Sequence, residues 1–131
     1  MPLSKPVRAT VEAERRPGLL CDRDGTLIEH RVNYILEPSH IHLLPGVAAA
    51  LCNAQRHGFV VVVLSNQSPV GRGLLSVTDA LRLHRQVLGD LKRGRITVAG
   101  SYLCPHAPAH DCTCRKPKPG MVQRSDRKSV V

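Results

Sequence analysis

Residues 59–68 read FVVVVLSNQS, and this stretch indicates the fold more strongly than any other part of the sequence. Its first six residues form an unbroken apolar run, which is typical of a strand that is buried on both faces. Polar residues then follow at once, so the predicted strand has a defined end. Weaker apolar runs at 18–21 and 96–103 predict one strand before it and one after it.

Helical segments separate the three predicted strands. Residues 46–58 (GVAAALCNAQRHG) follow a proline and end on glycine, as helices commonly do. Ser76 is a candidate N-cap for a second helix that extends to about Leu91. The apolar stripe of this helix comprises Leu81, Val87, Leu88 and Leu91. Because strands and helices alternate, the sequence predicts an α/β fold with a Rossmann-like parallel sheet and flanking helices.

Polar segments follow two of the predicted strands, at the edge where parallel sheets bind ligands. One is DRDGT at 22–26 and the other is SNQS at 65–68. Asp22 and Asp24 are two positions apart, which in an extended chain puts them on one side of the backbone. One carboxylate could act as a nucleophile while the other transfers a proton. A solvated acidic turn is the alternative interpretation.

Two further segments carry groups that can bind phosphate. Ser65 and Asn66 offer a hydroxyl and an amide at the end of a buried strand, and an ordinary turn serine is the competing interpretation. Residues 115–120 (RKPKPG) present Arg115 and Lys116 on a segment that prolines stiffen. A basic linker is the alternative for this segment.

Three of the five cysteines crowd into the segment CPHAPAHDCTC at 104–114. The candidate ligands are Cys104, His106, Cys112 and Cys114. Three thiolates and one imidazole complete a tetrahedral Zn²⁺ set with no open position, which predicts a structural zinc site. His110 is a second choice of ligand, and unrelated buried cysteines are the alternative interpretation.

The composition fits one small domain. The chain has 131 residues, of which 42% are apolar, and no apolar run approaches the length of a membrane span. The formal charge of +9 is concentrated towards the two ends and aromatic residues make up only 2%, so we expect neither nucleic acid nor a membrane as a partner. The polar start lacks a secretory signal, which predicts a cytoplasmic location. We divide the chain into a flexible extension (1–17), a domain (18–123) and a basic tail (124–131).

The segments CDRDGTLI, VVVVLSNQSPVGRG and CPH…CTCRKPKPGM, in this order, resemble motifs I, II and III of the haloacid dehalogenase (HAD) phosphohydrolase superfamily. More narrowly, they resemble the D-glycero-D-manno-heptose 1,7-bisphosphate 7-phosphatase family and its histidinol-phosphatase relatives, over about residues 18–123. The resemblance implies a HAD fold with no cap domain. It also implies hydrolysis of a small-molecule sugar phosphate through an aspartyl-phosphate intermediate.

The resemblance further implies the roles of the two aspartates. Asp22 would be the nucleophile and Asp24 the general acid/base. Mg²⁺ would be held by the Asp22 carboxylate and by the backbone carbonyl of Asp24.

The remaining site residues take their roles from the same resemblance. Ser65 and Lys116 would bind the transferring phosphoryl group, and Asn66 and Arg115 would help to position the substrate. The CxH and CxC spacings match the zinc loop of the family, so Zn²⁺ would fix the loop that carries the two basic residues.

The family pattern also requires a fourth motif, an apolar strand ending in Gly-Asp with a further Asp nearby, which supplies carboxylates for Mg²⁺. After Met121 only VQRSDRKSVV remains, and its sole acid is Asp126. These residues show neither an apolar strand nor an amphipathic helix. We therefore expect a fold that is incomplete at its C-terminus, impaired turnover, and a monomer whose exposed sheet edge allows association. Histidinol-phosphate phosphatase and a non-catalytic phosphate- and zinc-binding remnant are the alternative functions.

Other histidines and cysteines have no assigned chemistry. Cys21 and Cys52 are predicted to be small core residues. The remaining histidines are expected on surfaces or in loops: His30, His40, His42, His57 and His84.

Overall fold

The computed structural model describes residues 16–129, with side chains through residue 126. Its three strands are β1 (Gly18–Cys21), β2 (Val60–Asn66) and β3 (Val98–Cys104). They form one parallel sheet in the order β1-β2-β3. Cys21 pairs with Val63, so the chain leaves β1 beside the carboxyl end of β2. The predicted parallel α/β sheet is confirmed.

Four helices accompany the sheet. They are α1 (Val47–Arg56), α2 (Ser68–Gly71), α3 (Val77–Arg93) and α4 (Gly120–Ser129), with 3₁₀ turns at Pro38–His40 and Pro108–His110. The Ser76 hydroxyl accepts a hydrogen bond from the backbone N–H of Asp79 at 3.0 Å, which confirms the predicted N-cap of α3. Within residues 16–129, no helix combines the length and apolar character needed to cross a membrane.

Both faces of β2 are covered, which explains its unbroken apolar run. Val61 and Val63 point into the main core, together with Leu51 of α1 and Val87 of α3. The alternate side chains point the other way, into a smaller cluster that includes Met121 of α4 and Cys104. Successive side chains of a strand face opposite sides of the sheet, so each side of β2 meets a different layer.

Helix α3 keeps most of the predicted stripe, because Val87 and Leu91 are buried and Leu88 packs against the core. Leu81 is 40% exposed and was wrongly assigned to the stripe. The buried positions of the helix are Ala80, Leu83, His84, Val87 and Leu91. They recur at intervals of three and four residues, which is the spacing of one helical face. The prediction that His84 lies on the surface is therefore wrong.

Helix α4 was not expected. It begins at Gly120 and continues through Ser129, past the predicted end of the domain at residue 123. Met121 and Ser125 are buried and lie one turn apart, so a narrow stripe of one apolar and one small residue suffices to seat the helix. Such a stripe is too short to recognise in a sequence that is otherwise polar.

Candidate functional site

Asp22 and Asp24 lie directly after β1, in a turn that the backbone holds closed. The carbonyl of Arg23 accepts hydrogen bonds from the N–H groups of Thr26, Leu27 and Ile28, at 3.3, 2.8 and 3.1 Å. Gly25 has a φ of 86°, a left-handed conformation that glycine adopts without strain. This turn fixes where the two aspartates stand relative to the sheet edge.

Lys116 joins this turn from the other end of the sequence. Its Nζ lies 2.5 Å from Oδ1 of Asp22 and donates to the carbonyl of Leu64 at 2.8 Å. The Asp22 side chain is 47% exposed, so the carboxylate is open to an incoming ligand even while it faces the ammonium group. The arrangement places a carboxylate beside a positive charge, and both kinds of group are useful where a phosphate is attacked.

Asn66 holds the backbone of Lys116. Its Oδ1 accepts from the Lys116 N–H at 2.9 Å, and its Nδ2 donates to the Lys116 carbonyl at 3.2 Å. Both hydrogen-bonding atoms of the amide are therefore used to hold the basic segment in place. The expected role of Asn66 in positioning substrate stays a prediction, whereas its contacts in this structure are with Lys116.

Ser65 and Asp24 are joined through Gln67, a residue with no predicted role. Nε2 of Gln67 donates to Oγ of Ser65 at 2.7 Å and to Oδ2 of Asp24 at 3.2 Å. Its backbone N–H donates to the carbonyl of Cys104 at 2.7 Å. Ser65 and Gln67 are almost completely buried. Gln67 thus connects the aspartate turn, the serine and the end of β3.

Arg23 and His84 complete the buried side of the site. Nε of Arg23 lies 2.6 Å from Oδ1 of Asp24, and its Nη1 lies 3.3 Å from Nδ1 of His84. Arg23 is 1% exposed, which is unusual for arginine. Burial and the neighbouring Arg23 charge lower the pKa of His84 to about 4, so the imidazole is neutral near pH 7.

The predicted metal ligands at Cys104, His106, Cys112 and Cys114 come together. Their ligand atoms all lie within 4.8 Å of one another. The Sγ atoms of Cys104 and Cys112 are 3.5 Å apart, and Nδ1 of His106 lies 3.3 Å from Sγ of Cys114. A cation about 2.3 Å from each sulfur fits between ligand atoms at these separations. The alternative of unrelated buried cysteines does not predict such a cluster.

The thiols of this cluster differ in proton affinity. Burial, reinforced by the Cys114 thiol, raises the pKa of Cys104 to about 12. Burial opposes ionisation of Cys112 as well, but a backbone hydrogen bond from Arg115 and contacts with the other two thiols lower its pKa to about 6. A divalent cation would displace the protons that remain, because only thiolates bind it. His110 lies outside the cluster, since its Nδ1 accepts from the N–H of Ala107 at 3.1 Å.

Comparison with known proteins identifies the family. The family described as polynucleotide kinase 3 phosphatase matches residues 19–130. The chain belongs to this family. A D-glycero-β-D-manno-heptose-1,7-bisphosphate 7-phosphatase of Rhodopseudomonas palustris is 35% identical over 86% of the chain and 66% of its own length. The histidine biosynthesis bifunctional protein HisB of Legionella pneumophila is 34% identical over 80% of the chain and 30% of its own length.

A solved structure supports the same assignment. A D,D-heptose 1,7-bisphosphate phosphatase of B. bronchiseptica, crystallised with magnesium and phosphate, superposes with a TM-score of 0.80 at 30% identity. The match covers 88% of this chain and 64% of that structure, so the chain spans about two thirds of that phosphatase's length. The resemblance to HAD phosphatases that motifs I to III predicted is confirmed.

The number of carboxylates near Asp22 and Asp24 limits how tightly the chain could bind Mg²⁺. Among the described residues, the Cys/His cluster is the one group of three or more potential ligands close enough to share a metal ion. No third carboxylate therefore joins Asp22 and Asp24 within that part of the chain. Carboxylate and carbonyl oxygens are nevertheless the ligands that Mg²⁺ prefers, and it is commonly held by one or two carboxylates together with waters and substrate phosphate.

Arg115 has an unused donor. Its Nη1 is buried and has no hydrogen-bond partner among the described residues. A guanidinium nitrogen without a partner is costly in a protein interior, and an anion is its natural complement. Arg115 follows Cys114 directly, so the Cys/His loop fixes the place from which this side chain starts.

Proposed function

We propose that this chain catalyses hydrolysis of a phosphate monoester of a heptose 1,7-bisphosphate. The observation that carries the proposal is the 2.5 Å contact between Nζ of Lys116 and Oδ1 of Asp22 at the carboxyl edge of a parallel sheet. The names of the R. palustris and B. bronchiseptica relatives support the class of substrate. The 7-phosphate is the leading candidate for the group removed.

Asp22 is the nucleophile in the proposed reaction. One of its carboxylate oxygens attacks phosphorus, the bond between phosphorus and the sugar oxygen breaks, and an aspartyl-phosphate forms. Asp24 gives a proton to the departing sugar oxygen. It then takes a proton from the water that attacks the aspartyl-phosphate, which releases inorganic phosphate and restores both carboxyl groups.

Three side chains stabilise the phosphoryl group in this proposal, two by positive charge and one by a hydrogen bond. Lys116 already stands beside the nucleophile, Ser65 offers a hydroxyl at the end of β2, and Arg115 offers its unpartnered Nη1. Electrostatic stabilisation by fixed groups is the main contribution a protein makes to phosphoryl transfer. Mg²⁺, held by the Asp22 carboxylate and the Asp24 carbonyl, would supply further positive charge when bound.

Zinc has a structural role in the proposal. Four protein ligands leave no open position for a substrate, so Zn²⁺ at Cys104, His106, Cys112 and Cys114 would not take part in the chemistry. It would instead hold the loop that leads directly into Arg115 and Lys116. The loop starts at the end of β3, where the Cys104 carbonyl accepts from the N–H of Gln67, the residue that follows β2.

We expect turnover to be slow. Two oxygen ligands from the protein give Mg²⁺ a weak site, so a large share of the chains lacks the ion at ordinary concentrations. A non-catalytic protein that binds phosphate and zinc is the alternative, and absence of phosphate release even at excess Mg²⁺ would favour it. Histidinol phosphate is the second candidate substrate, because the L. pneumophila HisB protein shares 34% identity with the chain.

Phosphate release at excess Mg²⁺ tests the proposal. The substrates are heptose 1,7-bisphosphate, histidinol phosphate and an oligonucleotide with a 3′-phosphate, the last chosen from the family description. We expect release to be fastest from the heptose and abolished in Asp22→Asn. Asp79→Asn, an acid-to-amide change at an exposed pair with Arg82, is the matched control and should retain activity. Release by Asp22→Asn at the wild-type rate would refute the proposed mechanism.

A further inference from the structure

Five polar side chains form a continuous buried network behind the reactive face of the site. They are His84, Arg23, Asp24, Gln67 and Ser65, and we call them the Asp24 network. Asp24 is its most exposed member and the other four are buried. The network reaches from α3 to β2, although only Asp24 and Ser65 have a place in the proposed chemistry.

The donors and acceptors of the network fix the state of His84. A guanidinium group carries only donors, so Nη1 of Arg23 can contact Nδ1 of His84 at 3.3 Å favourably only if that nitrogen is an acceptor. The proton of the neutral ring must then sit on Nε2, which is buried without a partner among the described residues. The low pKa of His84, caused first by burial, agrees with a neutral ring.

Arg23 in turn fixes one side of the Asp24 carboxylate. Its Nε and Nη2 lie 2.6 and 3.4 Å from Oδ1 and Oδ2, a two-pronged contact between neighbouring residues. Arginine has many rotamers, and a neighbour that accepts from Nη1 removes most of that freedom. His84 therefore acts on Asp24 through the orientation of Arg23.

Gln67 fixes the other side of the Asp24 carboxylate and the direction in which the Ser65 hydroxyl can donate. The opposite orientation of its amide would set an oxygen against the carboxylate, so Nε2 must face Asp24 Oδ2 at 3.2 Å. The same nitrogen lies 2.7 Å from Oγ of Ser65, which must accept because Nε2 has only hydrogens to give. The hydroxyl proton of Ser65 is then free to be donated to a phosphoryl oxygen.

We propose that His84 and Gln67 are positioning residues for phosphoryl transfer: His84 orients Asp24 through Arg23, and Gln67 orients Asp24 and directs the Ser65 proton outward. This inference rests on the proposed phosphatase function for its consequence in catalysis. The hydrogen-bond geometry can be measured in the free protein, so the geometry and the proposed phosphatase function can be refuted separately.

The first test uses the unsubstituted chain. Nitrogen NMR shifts of the His84 ring at pH 7 should show an unprotonated Nδ1 and a protonated Nε2, and the Nε–H of Arg23 should exchange slowly with water. A ring protonated on Nδ1 cannot accept from Arg23, and that result would overturn the role of His84. This measurement needs no variant, so it decides the question even where a substitution prevents folding.

The second test compares matched variants. His84→Asn keeps an acceptor near the position of Nδ1, whereas His84→Leu fills similar space without one. We expect the Arg23 Nε–H to exchange at least about tenfold faster in the leucine variant, because opening of the unanchored guanidinium becomes easier. In Gln67→Met, the NMR signal of the Asp24 carboxyl carbon should move from its position in the unsubstituted chain, because the carboxylate loses the hydrogen bond from Nε2. Equal exchange rates in the two His84 variants, or an unmoved Asp24 signal in Gln67→Met, would overturn the corresponding role.

The third test links the network to turnover. His84→Leu and Gln67→Met should lower kcat by about tenfold to a hundredfold and change KM little, because the general acid/base is misplaced while the phosphate-binding cations stay. An unchanged kcat in either variant would overturn the positioning role of the residue that it replaces. Absence of phosphate release from the unsubstituted chain refutes the proposed function instead, and the NMR measurements then decide the geometry of the network without it.

Discussion

Replacing Gly71 by alanine should weaken both the fold and the metal site, although Gly71 belongs to neither the core nor the ligand set. A Cβ at this position would overlap the backbone nitrogen of Ala107 and lie 2.9 Å from Cε1 of His110 and 3.0 Å from the carbonyl carbon of His106. Two of these three atoms belong to the backbone of the Cys/His loop, so they can yield only if the loop moves.

The expected magnitude follows from that displacement. Ordinary contacts to Cβ lie at 3.4–4 Å, so the loop must retreat by about 1 Å, at a cost of about 1–3 kcal/mol in the free energy of unfolding. With a urea dependence of about 1–3 kcal/mol per molar, the midpoint falls by about 1 M. Because His106 moves with the loop, zinc affinity should fall by about tenfold to a hundredfold, as for the loss of a supporting contact around a metal ligand.

Urea unfolding followed by circular dichroism and zinc competition with a chromogenic chelator measure the two effects. Gly89→Ala is the matched control, because Gly89 lies within α3 and, apart from the backbone of its own helix, the nearest atom of the described residues to its Cβ would be Nη1 of Arg93 at 3.9 Å. Alanine there should leave zinc affinity unchanged and raise the free energy of unfolding by up to about 1 kcal/mol. If Gly71→Ala matched this control in both measurements, the close packing of the loop on α2 would be refuted.

Three further predictions concern the core, the metal and pH. Leu91→Ala, at a fully buried site, should lower the free energy of unfolding by about 2–5 kcal/mol in urea titrations. Leu81→Ala, at a 40% exposed site, should lower it by less than about 1 kcal/mol. Similar losses in the two variants would contradict the observed buried stripe of α3. Cys112→Ser should abolish the rise in melting temperature that zinc gives the unsubstituted chain, and an undiminished rise would exclude Cys112 as a ligand. The pKa of His84 is about 4 in the fold against 6.5 in the unfolded chain. Between these pH values the unfolded chain binds a proton at His84 that the folded chain does not. The free energy of unfolding should therefore fall by up to about 3 kcal/mol as pH decreases from 7 to 4. His84→Asn should flatten this part of the stability curve, and an identical slope in both proteins would contradict the assignment.

Much of the fold could be predicted because its signals are local. The apolar run before Ser65 identifies a strand covered on both sides, and the hydroxyl of Ser76 identifies the start of α3. The predicted metal ligands were recognisable from residue type and spacing alone. The expected cytoplasmic location and the monomeric state stay predictions.

The missed residues are those whose meaning depends on a distant neighbour. From the sequence, Arg23 is expected to be a solvated cation between two acids. In the structure its buried guanidinium contacts His84, which lies 61 residues away in the chain. Gln67 reads as a turn residue, yet its amide bridges Asp24 and Ser65. Burial of such groups is costly unless they are hydrogen-bonded, and a linear sequence does not show which groups will meet.

The chemical groups of the site can be read from the residues alone: two aspartates in a turn after one strand, a serine after the next, a basic segment, and a Cys/His set that could hold a metal ion. These follow from residue identity and short-range spacing. Which of these groups meet is set by the three-dimensional fold, which places Lys116 against Asp22 across 94 residues and uses Asn66 to hold the lysine backbone. Hydrogen bonds and ion pairs act over a few ångströms, so their partners depend on the register of β1 and β2 and the packing of α3 rather than on position along the chain.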